Sequence, residues 1–141
     1  MENISEATRR VEAFADALNR HDREAWVESF HPDCEGISGL VSMEGAEAYR
    51  GMEGAGRWFD NLSEVYERVE AKPEQTMAIG DHALHLVRVE YVGKASGVAL
   101  ETLLGMVTEM RDGRFVFVHS HFEVPEAFRE FATRIPTRPT P

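Results

Sequence analysis

The chain predicts an α+β domain in which a curved, mainly antiparallel sheet wraps around three N-terminal helices as a cone-shaped barrel. Three observations lead there. Residues 81–122 carry the runs HALHLVRVEYV, VALETLLGMVTEM and RFVFVHSHF, separated by the turns GKASG and RDG, which is the pattern of consecutive antiparallel strands. Most of the chain upstream has its apolar residues at helical spacing. Both faces of the resulting sheet are too apolar for water, so each needs a cover. Helices on one face of such a sheet make a cone, and a cone closes on a cavity.

The elements follow in order. Asn3 with Glu6 three residues later forms a capping-box pattern, and Val11, Phe14, Ala15 and Leu18 make one apolar stripe, so a first helix is expected from about Ser5 to Asn19. Asp22 caps a second, REAWVESF, with Trp26, Val27 and Phe30 on its apolar side; His31-Pro32 stops it, because a residue before proline avoids the helical region. From Asp33 to Gly51 the pattern weakens. CEGIS reads as a strand and GLVSMEGAEAYRG as a loop carrying a second short strand. A third helix is expected over roughly Glu53 to Val69, with Ala55, Phe59, Leu62 and Val69 at helical spacing. Lys72-Pro73 then breaks the chain, and EQTMAI leads into the sheet. FREFATR reads as a short terminal helix. The domain is expected over residues 4–130, with a proline-rich, disordered tail over 131–141.

The RDG turn decides which side chains share a face. A three-residue loop closed by a left-handed Gly113 pairs Met110 with Arg114, Thr108 with Val116, Met106 with Val118, Leu104 with Ser120 and Thr102 with Phe122. Phe115, Phe117, His119 and His121 then lie on the opposite face. A second copy of the chain is the expected cover there, giving a homodimer.

Composition narrows the function. A chain of 141 residues buries about 70% of its unfolded surface without disulfides. The lone Cys34 supports no disulfide framework and reads as a small buried hydrophobe. The net charge of −10 argues against nucleic-acid and anionic-membrane partners. MENISEATRR shows no basic segment followed by an apolar run, so no signal peptide or transmembrane helix is expected, and the expected location is cytoplasmic.

The stretches FADALNRHDREAWVESFHPDCE, YRGMEGAGRWFDNL, SGVALE and EMRDGRFVFVHSHFEVPEAF resemble the SnoaL-like branch of the nuclear transport factor 2-like superfamily. That group also holds polyketide cyclases, ketosteroid isomerases and limonene epoxide hydrolases. The resemblance spans about Val11 to Phe128 and implies a cystatin-like cone, often dimeric, used by enzymes and by non-catalytic binding modules. It carries over little chemistry. The isomerases' tyrosine donor falls at Phe14, their aspartate base at Ser38 and their second acid near Met106; the cyclases' aspartate on the last strand falls at Ser120, two residues before Phe122. Arg88-Val89-Glu90 resembles the arginine and acid of the epoxide hydrolases.

The leading expectation is a binder of a small, mostly apolar organic molecule. Phe14, Trp26, Ser38, Tyr49, Trp58, Phe59, Leu62, Thr102, Met106, Val118 and Ser120 are the expected ligand residues. Two alternatives stand beside it. One is a cofactor-independent cyclase, isomerase or hydrolase with Glu90 as base and Arg88 steadying the developing anion; the other is a dimeric module with no ligand. Arg88 and Glu90 lie two apart on one strand face, where they can pair; facing the cavity, they would orient a carbonyl or carboxyl group. His119-x-His121, with His85 and Glu101 in reach, has the spacing of metal ligands, but assignment to the covered face argues for packing instead. No metal and no cofactor are expected.

Overall fold

The structure, a computed structural model, describes residues 2–38 and 48–135, with side chains from residue 6 onward. Its helices are α1 (Glu2–Asn19), α2 (Arg23–Glu28), α3 (Gly51–Val65) and α4 (Val124–Arg134). The strands are β1 (Phe30–Ile37), β2 (Tyr49–Arg50), β3 (Tyr66–Ile79), β4 (His82–Gly93), β5 (Ala99–Arg111) and β6 (Arg114–His121). They form one curved, six-stranded sheet in the order β2-β1-β6-β5-β4-β3, antiparallel throughout except for the β1–β6 pair. The sheet is open, ending on β2 and β3, and does not close into the expected barrel. No helix among the described residues is long and apolar enough to cross a membrane.

Local chemistry accounts for most boundaries. Asp22 caps α2 by accepting a hydrogen bond from the Ala25 amide, which satisfies an N-terminal donor the helix cannot. α2 is shorter than expected, because Phe30 already belongs to β1. The larger departure is α3, which ends at Val65, four residues before the expected Val69, while β3 begins at Tyr66. Tertiary pairing overrides the helical pattern there: Val69 lies opposite Tyr91 and Ala71 opposite Val89. Pro73 is tolerated because β3 is an edge strand and its ladder shifts register between Pro73 and Gln75. α4 starts at Val124, four residues ahead of the expected Phe128. Of the expected disordered tail over 131–141, residues 131–134 instead continue α4, where Phe131 is buried against the sheet; residues 136–141, and residues 39–47 of the expected loop, lie outside the described residues.

The β5–β6 hairpin corrects the expected register. Arg111 pairs with Arg114, so the loop is the two residues Asp112 and Gly113, whose φ values of 55° and 76° suit a type I′ turn. One residue beyond, a bulge places Val116 outside the pairing, between Met110–Phe115 and Glu109–Phe117. Thr108 therefore pairs with Val118 and Met106 with Ser120. The two-residue turn shifts the alternation by one and the bulge shifts it back, so both faces keep their expected members except near the turn. Phe115 points into the main core, 5.5 Å from the Phe14 ring centroid.

The main core lies between α1, α2, α3 and one face of the sheet, here called inner, with Val87, Val89, Leu104 and Met106 packed beneath Phe14, Trp26, Trp58 and Phe59. On the outer face α4 packs Ala127 and Phe131 over Leu84, Val107 and Phe117. Burying each of these phenylalanines contributes roughly 1.5–3 kcal/mol. Gly105 permits the close approach, since a Cβ there would stand 2.5 Å from the Ala127 methyl group. The apolar face assigned to a second copy is thus covered by the chain's own helix. Neither Phe115, in the core, nor Phe117, beneath α4, forms the expected dimer surface, and His119 and His121 face α4.

Candidate functional site

An interior cavity lies between the helices and the inner face of the sheet. Phe14 and Leu18 reach it from α1, Trp26 from α2, Trp58 and Leu62 from α3, Ala71 from β3, and Ser38 from the end of β1. Val87 and Val89 of β4, Leu104 and Met106 of β5, and Ser120 of β6 complete the lining. Among the described residues, no lining side chain is ionisable. The described residues leave about 40 Å³ free, the room of one or two water molecules.

Polarity within this lining is confined to three side chains. Ser38 and Ser120 bring hydroxyls, Ser120 from a buried position. Trp58 also lines the cavity, and its indole N–H is buried without a hydrogen-bond partner among the described residues. The contrast with Trp26 is informative, because the Trp26 Nε1 donates to the Ala55 carbonyl at 2.9 Å. Trp58 is held firmly: its ring stacks on Tyr49 with centroids 5.5 Å apart and planes 4° from parallel. Gly36 also lies against it, where a Cβ would stand 2.5 Å from the ring, so glycine is what admits the indole. An unpaired buried donor costs about 1–3 kcal/mol.

Of the expected ligand residues, Phe14, Trp26, Ser38, Trp58, Leu62, Met106 and Ser120 line the cavity. Phe59 and Val118 are packed in the core behind it. Tyr49 is buried outside the lining, and its hydroxyl accepts from Asn61 Nδ2 at 2.9 Å. Thr102, half-buried and paired with Val89 in the sheet, lies outside the lining. Leu18, Ala71, Val87, Val89 and Leu104 were not expected there. The alternation of β4 identifies its pair: with Arg88 and Glu90 outward, the odd-numbered valines must face inward.

Arg88 and Glu90 do not enter the cavity. Arg88 is 39% exposed, its Nε donates to Glu74 at 2.8 Å, and Glu101 lies 3.6 Å away. The hydrogen bond from Arg88 holds the Glu74 carboxyl below the usual range. Glu90 is exposed. The expected interior ion pair is replaced by surface ion pairs, which are screened by solvent. Cys34 is buried as expected; its thiol donates to the Gly51 carbonyl at 3.3 Å, and burial pushes its pKa up.

Two further polar clusters have definite geometry. His85 of β4 is fully buried between Thr76 of β3 and Thr108 of β5, with Nδ1 at 2.9 Å from one hydroxyl and Nε2 at 3.0 Å from the other. Burial lowers its pKa from 6.5 to about 4, so the ring is neutral at pH 7. On the outer face, His119 Nδ1 and His121 Nε2 both meet the carboxylate of Glu130 from α4, at 2.9 Å and 2.8 Å. Burial acts to raise the Glu130 pKa, but the hydrogen bonds from His121 and His119 outweigh it and the net shift is downward. The H-x-H spacing was visible in the sequence. Its third member was not, because only the docking of α4 brings Glu130 to the strand.

A family model described as a SnoaL-like domain matches residues 11–118, and the chain belongs to that family. A search of curated proteins finds no significant match. Solved structures similar to it share its fold. A nuclear transport factor 2-like protein of unknown function from Burkholderia pseudomallei is 16% identical with a TM-score of 0.73, over 88% of this chain and 95% of its own. A putative polyketide cyclase from Xanthomonas campestris is 18% identical with a TM-score of 0.73, over 92% and 98%. A Mycobacterium tuberculosis protein in complex with estradiol-17β-hemisuccinate is 17% identical with a TM-score of 0.71, over 85% and 95%.

Proposed function

We propose that this SnoaL-like protein binds a small, mostly apolar organic molecule in its interior cavity and holds a carbonyl or ether oxygen of that molecule against the Trp58 indole N–H. The observation that carries the reading is the buried, unpartnered donor of Trp58, a residue of a lining whose other described side chains are hydrocarbon, a thioether and two hydroxyls. A ligand oxygen there would relieve an existing cost, while the aliphatic and aromatic walls favour an apolar body. The steroid ester held by the similar Mycobacterium tuberculosis protein has that general character.

Binding without catalysis is favoured by the chemistry of the walls. Proton transfer needs a group that ionises within reach of the substrate, and among the described residues none of the lining side chains does so. Glu90 and Arg88, the residues of the enzymatic alternative, lie on the outside of the sheet. The space now enclosed is smaller than a typical ligand, so occupancy requires side chains to move. Met106 and Leu18 are suited to that, Met106 because of its flexible thioether chain and Leu18 because it is only half-buried.

Calorimetry and tryptophan fluorescence with a polycyclic ketone and its deoxygenated hydrocarbon analogue test the proposal. The ketone is expected to bind more tightly by about 1 kcal/mol, roughly fivefold, and Trp58→Phe to abolish that preference while retaining hydrocarbon binding. Absence of binding by both compounds, or a preference unchanged in Trp58→Phe, would refute it.

A further inference from the structure

His119 and His121 project from the same face of β6, two residues apart, and Glu130 meets both from α4. Their nitrogen and carboxylate ligand atoms all lie within 4.8 Å of one another. We propose that His119, His121 and Glu130 form a binding site for a divalent transition-metal ion of the zinc class, with its remaining coordination position open to water. This site is on the opposite face of the sheet from the cavity and does not depend on the ligand proposed for it.

The donor set and its dimensions carry the argument. Two imidazole nitrogens and one carboxylate are a ligand set that zinc accepts with a fourth position left to solvent. Around a tetrahedral zinc, with bonds of about 2.0–2.1 Å, neighbouring ligand atoms are roughly 3.3 Å apart. The observed contacts from Glu130 to His119 and His121, 2.9 Å and 2.8 Å, need to lengthen by only a few tenths of an ångström to admit the ion. Both rings are already oriented, with centroids 3.9 Å apart, and Phe117 stands edge-on to His119 at 6.2 Å. The three side chains keep between 16% and 23% of their surface exposed, so the ion has a path in from solvent.

Without metal, the two imidazoles face one carboxylate as hydrogen-bond donors. An entering ion takes the place of those hydrogens: a neutral ring presents its lone pair by shifting its proton to the other nitrogen, and a charged ring releases a proton to solvent. Arg134 tempers the site, since its Nε lies 3.5 Å from Glu130 and its guanidinium stacks 3.5 Å over the Phe117 ring. The ion has to compete with that cation for the carboxylate, which predicts moderate affinity. The sequence expectation that these histidines only pack is superseded by Glu130, the third converging ligand that reading lacked.

The test is titration of the metal-free protein with zinc by calorimetry at pH 7.5, with cobalt(II) absorption as a second readout. The expected result is saturable binding of about one equivalent, with cobalt d–d bands of an intensity typical of four-coordination. His119→Gln, His121→Gln and Glu130→Gln are each expected to weaken zinc binding by roughly tenfold or more, while His31→Gln, remote from the site, leaves it unchanged. Far-ultraviolet circular dichroism checks that the variants fold. If any does not, the stoichiometry of zinc binding and the cobalt spectrum of the wild-type protein decide the matter. Non-saturating uptake, or saturable binding equally strong in folded variants, would overturn the proposal.

Discussion

Between pH 7 and pH 5, acid should destabilise this protein through His85. The ring has no exposed surface and meets neutral hydroxyls at its two nitrogens, so its charged form has no counter-ion in contact among the described residues. The folded pKa of about 4 lies below the unfolded value of 6.5, and the unfolded chain binds more protons between those limits. Stability from this group is therefore complete above pH 6.5 and is lost as the pH falls toward 4. The full difference corresponds to roughly 3 kcal/mol, of which about 2 kcal/mol is lost between pH 7 and pH 5. Urea denaturation at those two pH values measures it. His85→Gln retains a donor and an acceptor at the site but cannot titrate, so its pH dependence should be smaller than wild type by about 2 kcal/mol over that interval. The low pKa of Glu130 acts in a different window, since its contribution is present above its unfolded pKa of 4.5 and is lost below it. Equal pH dependence in wild type and His85→Gln, or a His85 resonance titrating near pH 6.5, would refute the reasoning.

Two more substitutions test the assignment of the two sheet faces. Gly36→Ala should destabilise by about 1–3 kcal/mol in chemical denaturation and weaken cavity ligands, because Tyr49 stacked behind Trp58 blocks the ring's retreat from the new methyl group. Arg88→Met removes a guanidinium that makes only exterior ion pairs, so calorimetry should give the same cavity affinity for carboxylate-bearing and neutral ligands as in wild type.

The periodicity of the chain was enough to place three long strands, the α1 stripe, the Asp22 cap and the helical cover of the inner face, because each depends on neighbours within a few residues. It also identified most of the cavity's aromatic wall, since Phe14, Trp26 and Trp58 fall on the buried sides of their own helices. The tertiary structure decided what depends on pairing between distant segments. Whether residues 66–73 continue a helix or enter a strand is settled by the partner β4, which local pattern cannot see. Whether Arg88 faces the cavity or solvent depends on which face of β4 the helices choose; the strand's alternation allows either. A bulge at Val116 turned Phe115 inward, and the docking of α4 covered Phe117 and delivered Glu130 to His119 and His121. Sequence spacing determines which side chains share an element and a face; only the packing of one element on another determines which of them meet.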